Sequence, residues 1–249
     1  MSFETLALET DGGIARITLD QPKTFNALSK QLASDLREAL GAVRDDASVR
    51  ALVLTGTGKG FCAGGDVSGF HDAADNAPAH LRTMTWHLHA AIATLADLDV
   101  PVLAGINGAT AGAGMGLCMA ADLAVAKESA FFTMAYTAIG ATPDGSSTFF
   151  LPRLIGTRRA MEMALLNRRL SAAEALDWGL INEVVPDTDF DARLDKLAKT
   201  LAAGPTRAFA GARKLIRDSA QSSLAAQLDA EQRTIVSAAH TRDFREGVA

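Results

Sequence analysis

Apolar and polar positions alternate with a period of two across residues 3–10 and again across 14–19, and Asp11-Gly12-Gly13 lies between the two stretches. A period of two places apolar side chains on one face of an extended segment, and Asp-Gly favours a tight turn, so the spacing predicts an antiparallel hairpin. The period then lengthens. Leu32, Leu36, Ala39, Leu40 and Val43 recur at helical spacing behind Ser29, a residue suited to capping, which predicts a helix to about Val43. Residues 51–55 form a short apolar run of the kind a buried strand shows. Strand, helix, strand in this order points to an α/β sheet.

Further on, residues 56–65 read as a glycine-rich loop and 66–78 as a polar, mobile one. The pattern predicts a helix over 81–98, a strand over 100–106, a buried helix over 113–121 and strands over 123–126 and 131–135. A loop to Gly145 precedes helices near 148–154, 158–167 and 172–178 and a strand over 181–185. From Asp189 the pattern is helical, broken at Gly204-Pro205. We read a core of residues 1–186 followed by a helical region, 187–249, with no tandem repeat.

Composition narrows the class of protein. Lys and Arg number 24 against 29 Asp and Glu, for a net charge of −5, so no basic surplus exists to hold a nucleic acid. The two cysteines, Cys62 and Cys118, have no close partner in sequence, which argues against a disulfide framework or a thiolate metal site and for a reducing, cytoplasmic setting. The longest charge-free run, 100–121, contains five glycines, Pro101 and Asn107, and reads as strand, loop and buried helix rather than a membrane span. The first residues lack the basic and apolar pattern of a secretory signal. Alanine (48) and glycine (21) far outnumber the 14 aromatics, of which Tyr136 is the single tyrosine, so the chain is built of small, closely packed residues.

Two glycine-rich turns carry candidate chemistry: residues 61–66 after a strand, and 107–116 running from a strand into a helix. Small residues let backbone N–H groups approach a ligand, and amides at Gly65 and at the helix start, Ala113, can converge on one oxygen to make an oxyanion hole. One such donor is worth about 3 kcal/mol of barrier. The second turn imitates a nucleotide-binding loop, but it lies mid-chain and Tyr136 is followed by Gly140 where that class needs lysine. Asp144, in Ala141-Thr142-Pro143-Asp144-Gly145, has an apolar local context, and burial there would raise its pKa and make it a better base. Pro-Asp-Gly is equally a common turn. His87 and His89 are two apart on one helix, hence on different faces, and cannot jointly chelate a metal.

With these motifs in view, the chain resembles the enoyl-CoA hydratase/isomerase (crotonase) family over nearly its whole length. The likeness rests on Asn26-Ala27-Leu28, Val53-Leu54-Thr55-Gly56, residues 61–66 and 101–108, Ala120-Ala121-Asp122, residues 151–156 and 171–175, and Trp178-Gly179-Leu180, all in family order. The resemblance implies an α/β spiral of ββα turns with a C-terminal helical trimerisation region, a homotrimer or a hexamer of paired trimers, and an acyl-CoA thioester as substrate, with coenzyme A entering only as part of it. It implies that the Gly65 and Ala113 amides stabilise a thioester enolate. Hydratases of the family use two glutamates, and the matching positions hold Gly116 and Tyr136, so standard hydration is disfavoured and Tyr136 is expected to shape the acyl pocket or donate a hydrogen bond. Asp144 falls where dienoyl-CoA isomerases and ring-epoxide isomerases of phenylacetyl-CoA breakdown place a catalytic aspartate. It also falls where 4-chlorobenzoyl-CoA dehalogenases place a nucleophile, with His89 matching their histidine. The expected activity is therefore double-bond or ring-epoxide isomerisation with Asp144 as acid/base. The alternatives are an aryl-CoA dehalogenase, a hydratase of non-standard mechanism and a non-catalytic acyl-CoA binder.

The adenine end of the CoA is expected along Ala63, Gly64, Gly65, Asp66 and Val67, near Phe25 and Ala27, with Lys23 meeting its phosphates. An anionic ligand on a net-acidic protein needs such local charge. Relatives usually continue beyond the residues matching Gly247-Val248-Ala249 with a further helical stretch.

Overall fold

The computed structural model describes residues 3–249. The opening strands β1 (Leu6–Asp11) and β2 (Ile14–Leu19) pair antiparallel with Asp11 opposite Ile14, and β2 buries every second residue. Helix α1 (Lys30–Asp45) starts where the Ser29 hydroxyl accepts the Leu32 N–H at 3.1 Å. It buries Leu32, Leu36 and Leu40 completely, each contributing about 1.5–3 kcal/mol.

A strand–strand–helix unit then repeats. Strands β3 (Ala51–Gly56) and β4 (Gly60–Cys62) lead to α2 (Val67–Ala73) and α3 (Ala77–Asp97). Next come β5 (Val102–Ile106), β6 (Ala109–Ala111) and α4 (Ala113–Ala120). The third unit runs through β7 (Leu123–Lys127) and β8 (Phe131–Thr133) to α5 (Ser147–Ile155) and α6 (Thr157–Leu166). It closes with β9 (Leu170–Ser171), α7 (Ala172–Asp177) and β10 (Glu183–Val185). The first strand of each unit joins a six-stranded sheet in the order β1-β2-β3-β5-β7-β10, and the second joins a four-stranded sheet, β4-β6-β8-β9. The chain thus climbs as a spiral of ββα turns. Its corners are tied by two buried asparagines: Asn26 and Asn107 both donate to the Gly60 carbonyl, at 2.8 and 3.0 Å.

Helices α8 (Phe190–Ala203), α9 (Thr206–Ser219), α10 (Leu224–Ala239) and α11 (Arg242–Gly247) complete the chain. Phe190, Leu194 and Ala198 of α8 bury against Val53, Leu103 and Val125 of the large sheet. Helix α9 is pinned by the buried Arg213, which donates to Asp122 at 2.5 Å and to the Leu98 carbonyl, while Arg217 donates to the other Asp122 oxygen at 3.0 Å.

The segment 66–78, expected to be mobile, is instead helical over most of its length. Asp66 caps α2 by accepting the Ser68 N–H at 3.1 Å, and Pro78 sits in the first turn of α3, where its missing N–H costs nothing. Strand β4, placed in the expected 56–65 loop, is only three residues long, too short for a period to show. Residues 100–121 form β5, β6 and α4, and no helix among the described residues is long and apolar enough to cross a membrane.

Candidate active site

Asp144 lies in the loop that enters α5. Its carbonyl accepts the Ser147 N–H at 3.0 Å and the Ser147 hydroxyl at 2.6 Å, so the buried start of α5 fixes the backbone that carries the carboxylate. Expected to be buried, the side chain is 29% exposed. Tyr136, which follows β8, donates its phenol to Asp144 Oδ1 at 2.7 Å. Burial and the adjoining carboxylate push that phenol's pKa far above its ordinary value, so it remains a proton donor at any physiological pH. His89 reaches the same carboxylate from α3, with Nε2 3.5 Å from Oδ2 and its side chain 55% exposed. His87 lies beside Arg37 instead, and burial together with that guanidinium lowers its pKa.

The two glycine turns meet at their backbones. Gly64 has φ +91°, and a Cβ there would stand 3.0 Å from the Ala111 carbonyl oxygen; one on Gly112 (φ +49°) would stand 3.4 Å from the Gly64 Cα. Only glycine allows this contact. It sets the Gly65 amide against the start of α4, where Ala113 presents its own, and neither N–H has a hydrogen-bond partner among the described residues. Two unpaired donors, one on a helix N-terminus, are chemically able to hold a developing oxyanion. The Asp144 loop adjoins them: a Cβ on Gly145 would lie 3.7 Å from the Ala113 Cα and 3.4 Å from Leu88 Cδ2. Phe70 of α2 covers Gly65, its ring edge 2.7 Å from where a Cβ would stand, with Met84 beside it.

Gly116, one turn into α4, decides which carboxylates the site can hold. A Cβ on Gly116 would stand 1.9 Å from the Gly145 carbonyl oxygen, so the Asp144–Gly145 turn occupies the room a side chain would need. Asp144 enters by the loop that keeps the Gly116 position bare.

The residues expected to meet CoA lie near one another. Ala63 N–H donates to the Phe25 carbonyl at 3.0 Å, Leu28 N–H to the Gly64 carbonyl at 2.6 Å and Asp66 N–H to the Leu28 carbonyl at 3.0 Å, so Phe25 and Ala27 run alongside residues 63–66. Val67, at the start of α2, and Phe25 are exposed. Lys23 sits on the adjoining 3-10 turn, exposed and without an ion pair among the described residues. Sequence reasoning missed Lys59. Gly58 packs on Pro22 and Gly60 on Phe25, which holds the exposed Lys59 next to the Lys23 turn. It also missed Phe70 and Ser147; a Ser three residues after an Asp in a pre-helical turn was the available signal for the latter. Cys62, in the first glycine turn, is buried and its thiol is pushed up to about 11, which rules it out as a nucleophile. No cluster of metal-ligating side chains occurs among the described residues.

A spiral α/β fold that sets two unpaired amides beside a carboxylate is an arrangement able to hold an anionic oxygen next to an acid/base group. The sequence profile of the enoyl-CoA hydratase/isomerase family matches residues 9–249. The chain is 42% identical to a probable enoyl-CoA hydratase of Rhodobacter capsulatus, covering 100% of this chain and 95% of that protein. It is 38% identical to 4-chlorobenzoyl coenzyme A dehalogenase-2 of an Arthrobacter species (98% and 89% covered) and 35% identical to the 1,2-epoxyphenylacetyl-CoA isomerase of Escherichia coli (99% and 95%). Among solved structures, a putative enoyl-CoA hydratase/isomerase from Mycobacterium abscessus superposes with a TM-score of 0.94 at 36% identity, covering 98% of this chain and 94% of that one. The chain belongs to the enoyl-CoA hydratase/isomerase family and has the crotonase fold.

Proposed function

We propose that this protein is an acyl-CoA isomerase in which Asp144 removes a proton beside the thioester carbonyl and returns it elsewhere on the acyl chain or ring. The observation that carries this reading is the Gly116–Gly145 contact: the backbone that delivers Asp144 leaves no room at the first of the two family glutamate positions, and the second is Tyr136. One acid/base group suits moving a proton between carbons. The amides of Gly65 and Ala113 hold the enolate oxygen. The base stands next to them, and a general base contributes about 10²–10⁴-fold. Lys23 and Lys59 meet the CoA phosphates, with residues 63–67, Phe25 and Ala27 along the adenine. The protein needs no cofactor beyond the CoA of its substrate, works in the cytoplasm with both thiols reduced, and assembles as a trimer or a pair of trimers through α9 and α10.

The test is solvent exchange at the α carbon of a 3-enoyl-CoA in deuterated water, with Asp144→Asn as the control. We expect the wild type to exchange and isomerise, and Asp144→Asn to lose both by about 10²–10⁴-fold. Exchange that persists in Asp144→Asn overturns the assignment of the base.

The His89–Asp144 approach, with the dehalogenase relative, favours one second reading: Asp144 attacks an aryl-CoA ring and His89 activates water. That chemistry leaves a covalent aryl adduct on Asp144, visible by mass spectrometry with 4-chlorobenzoyl-CoA, whereas the isomerase leaves none. A chain that binds CoA thioesters yet turns over none of a broad thioester panel is a binder.

A further inference from the structure

The two oxygens of Asp144 have different neighbours. Oδ1 accepts the Tyr136 phenol at 2.7 Å, a neutral donor that burial and the carboxylate keep protonated. Oδ2 makes no hydrogen bond among the described residues, and its one ion-pair contact among them is with His89 Nε2, at 3.5 Å. Tyr136 is largely enclosed, but His89 is more than half exposed, on a helix face that also meets water. A proton on Oδ1 would displace a held donor, and a proton on Oδ2 meets an imidazole in contact with solvent.

From this asymmetry, and resting on the isomerase reading above, we propose that Oδ2 is the oxygen that takes the substrate proton and that His89 is the route by which that proton exchanges with water before it is returned. The steps balance. The α C–H bond breaks, its electron pair passes into the enolate held by Gly65 and Ala113, and an O–H bond forms at Oδ2. His89 then accepts that proton at Nε2 and regenerates the carboxylate. The imidazolium trades its proton for one from water and passes the new proton back through Oδ2 to the γ carbon. His89 acts through Asp144, never on the substrate, so its contribution lies in the fate of the proton rather than in the bond broken.

The experiment follows a 3-enoyl-CoA deuterated at C2, isomerised in ordinary water, and measures by mass spectrometry the deuterium retained at C4 of the product. Wild type is expected to wash out most of the label. His89→Gln, which keeps a polar side chain of similar reach but cannot carry the proton, is expected to retain several-fold more label while kcat changes less than retention does. A merely structural role would lower kcat and leave retention where it was. His89→Ala tested beside it guards against a misfolded variant. Equal washout in wild type and both variants, with turnover intact, overturns the proposal and leaves Asp144 as the base. If Asp144→Asn still isomerises, the assignment of the base falls, and if no enoyl thioester turns over, the isomerase reading falls; either result takes this route with it.

Discussion

Gly116 carries no side chain because another part of the chain stands where one would go. The Gly145 carbonyl lies 1.9 Å from the Cβ site, a separation no pair of such atoms tolerates, and α4 is buried on every side. Relief requires moving either the loop that holds Asp144 or the helix that holds the Ala113 amide. Gly116→Ala therefore strains the two halves of the site against each other. Overpacking of this kind costs about 1–3 kcal/mol, which for a chain of this size lowers Tm by about 2–4 °C per kcal/mol. Activity should fall further than stability alone accounts for, by tenfold or more, since about an ångström of misplacement between base and oxyanion donors weighs heavily on the reaction. Calorimetry together with kcat on one enoyl-CoA checks both; an alanine variant with native Tm and native kcat would show that the contact has no bearing on the site. Gly116→Glu, which restores the side chain that family hydratases carry there, should destabilise more and gain no hydratase activity.

Helix α9 shows how a family motif of small residues and one aspartate shapes an entire element. Asp122 follows the last turn of α4, accepts the Val102 N–H at 2.7 Å, and is met by both Arg213 and Arg217 of α9. Arg213 also satisfies the buried C-terminal end of α3 through the Leu95 and Leu98 carbonyls. Removing one partner strands a largely buried charge, which costs about 3–5 kcal/mol, so Asp122→Ala should lower stability by that order. Hydrogen exchange should show α9 losing protection before the sheet does, and uniform loss across the chain would contradict the clamp. Nothing in local sequence announces this pairing, because Asp122 and Arg213 are brought together only by the completed spiral. Elements with a long apolar period, α1, α3 and α8, were legible from sequence with boundaries near those observed. Strands β4, β6 and β9, two or three residues each, were not, since two or three positions carry no period and their burial is decided by neighbouring turns. Helix α2 was hidden for another reason: its face is held by Asp66 capping and by Phe70 over Gly65, a contact made across a turn rather than along a stripe. The site divides the same way. Asp144, Gly65 and Ala113 stood out through their motifs, whereas the approach of His89 to Asp144 depends on how α3 crosses the α5 loop.

For the whole molecule, the distribution of exposed apolar residues bears on the proposed trimeric assembly. Ile216, Leu224, Leu228, Ile235 and Val236 lie exposed on α9 and α10, and Phe149, Leu154 and Ile216 border a cleft of about 770 Å³ between α5 and α9. Such a collection is larger than scattered surface leucines explain, and on the C-terminal helices it suits the contact surface that the proposed assembly needs. The amphipathic α9 and α10 pack antiparallel on each other with their outward apolar residues unpaired, which suits symmetric self-association in a ring rather than capture of an unrelated partner. Sedimentation equilibrium at micromolar concentration should therefore give three or six chain masses. Leu228→Glu combined with Ile235→Glu, both on exposed positions of α10, should shift the population to smaller species without unfolding the spiral, because neither residue contributes to the core. A wild-type protein that sediments as one chain mass would show that this apolar surface serves something other than self-assembly. Because α9 is clamped through Asp122 to β5 and to the end of α4, the helix that Ala113 begins, dissociation should also reduce kcat, and measuring the rate across the same concentration range would reveal whether assembly and the proposed oxyanion site are coupled.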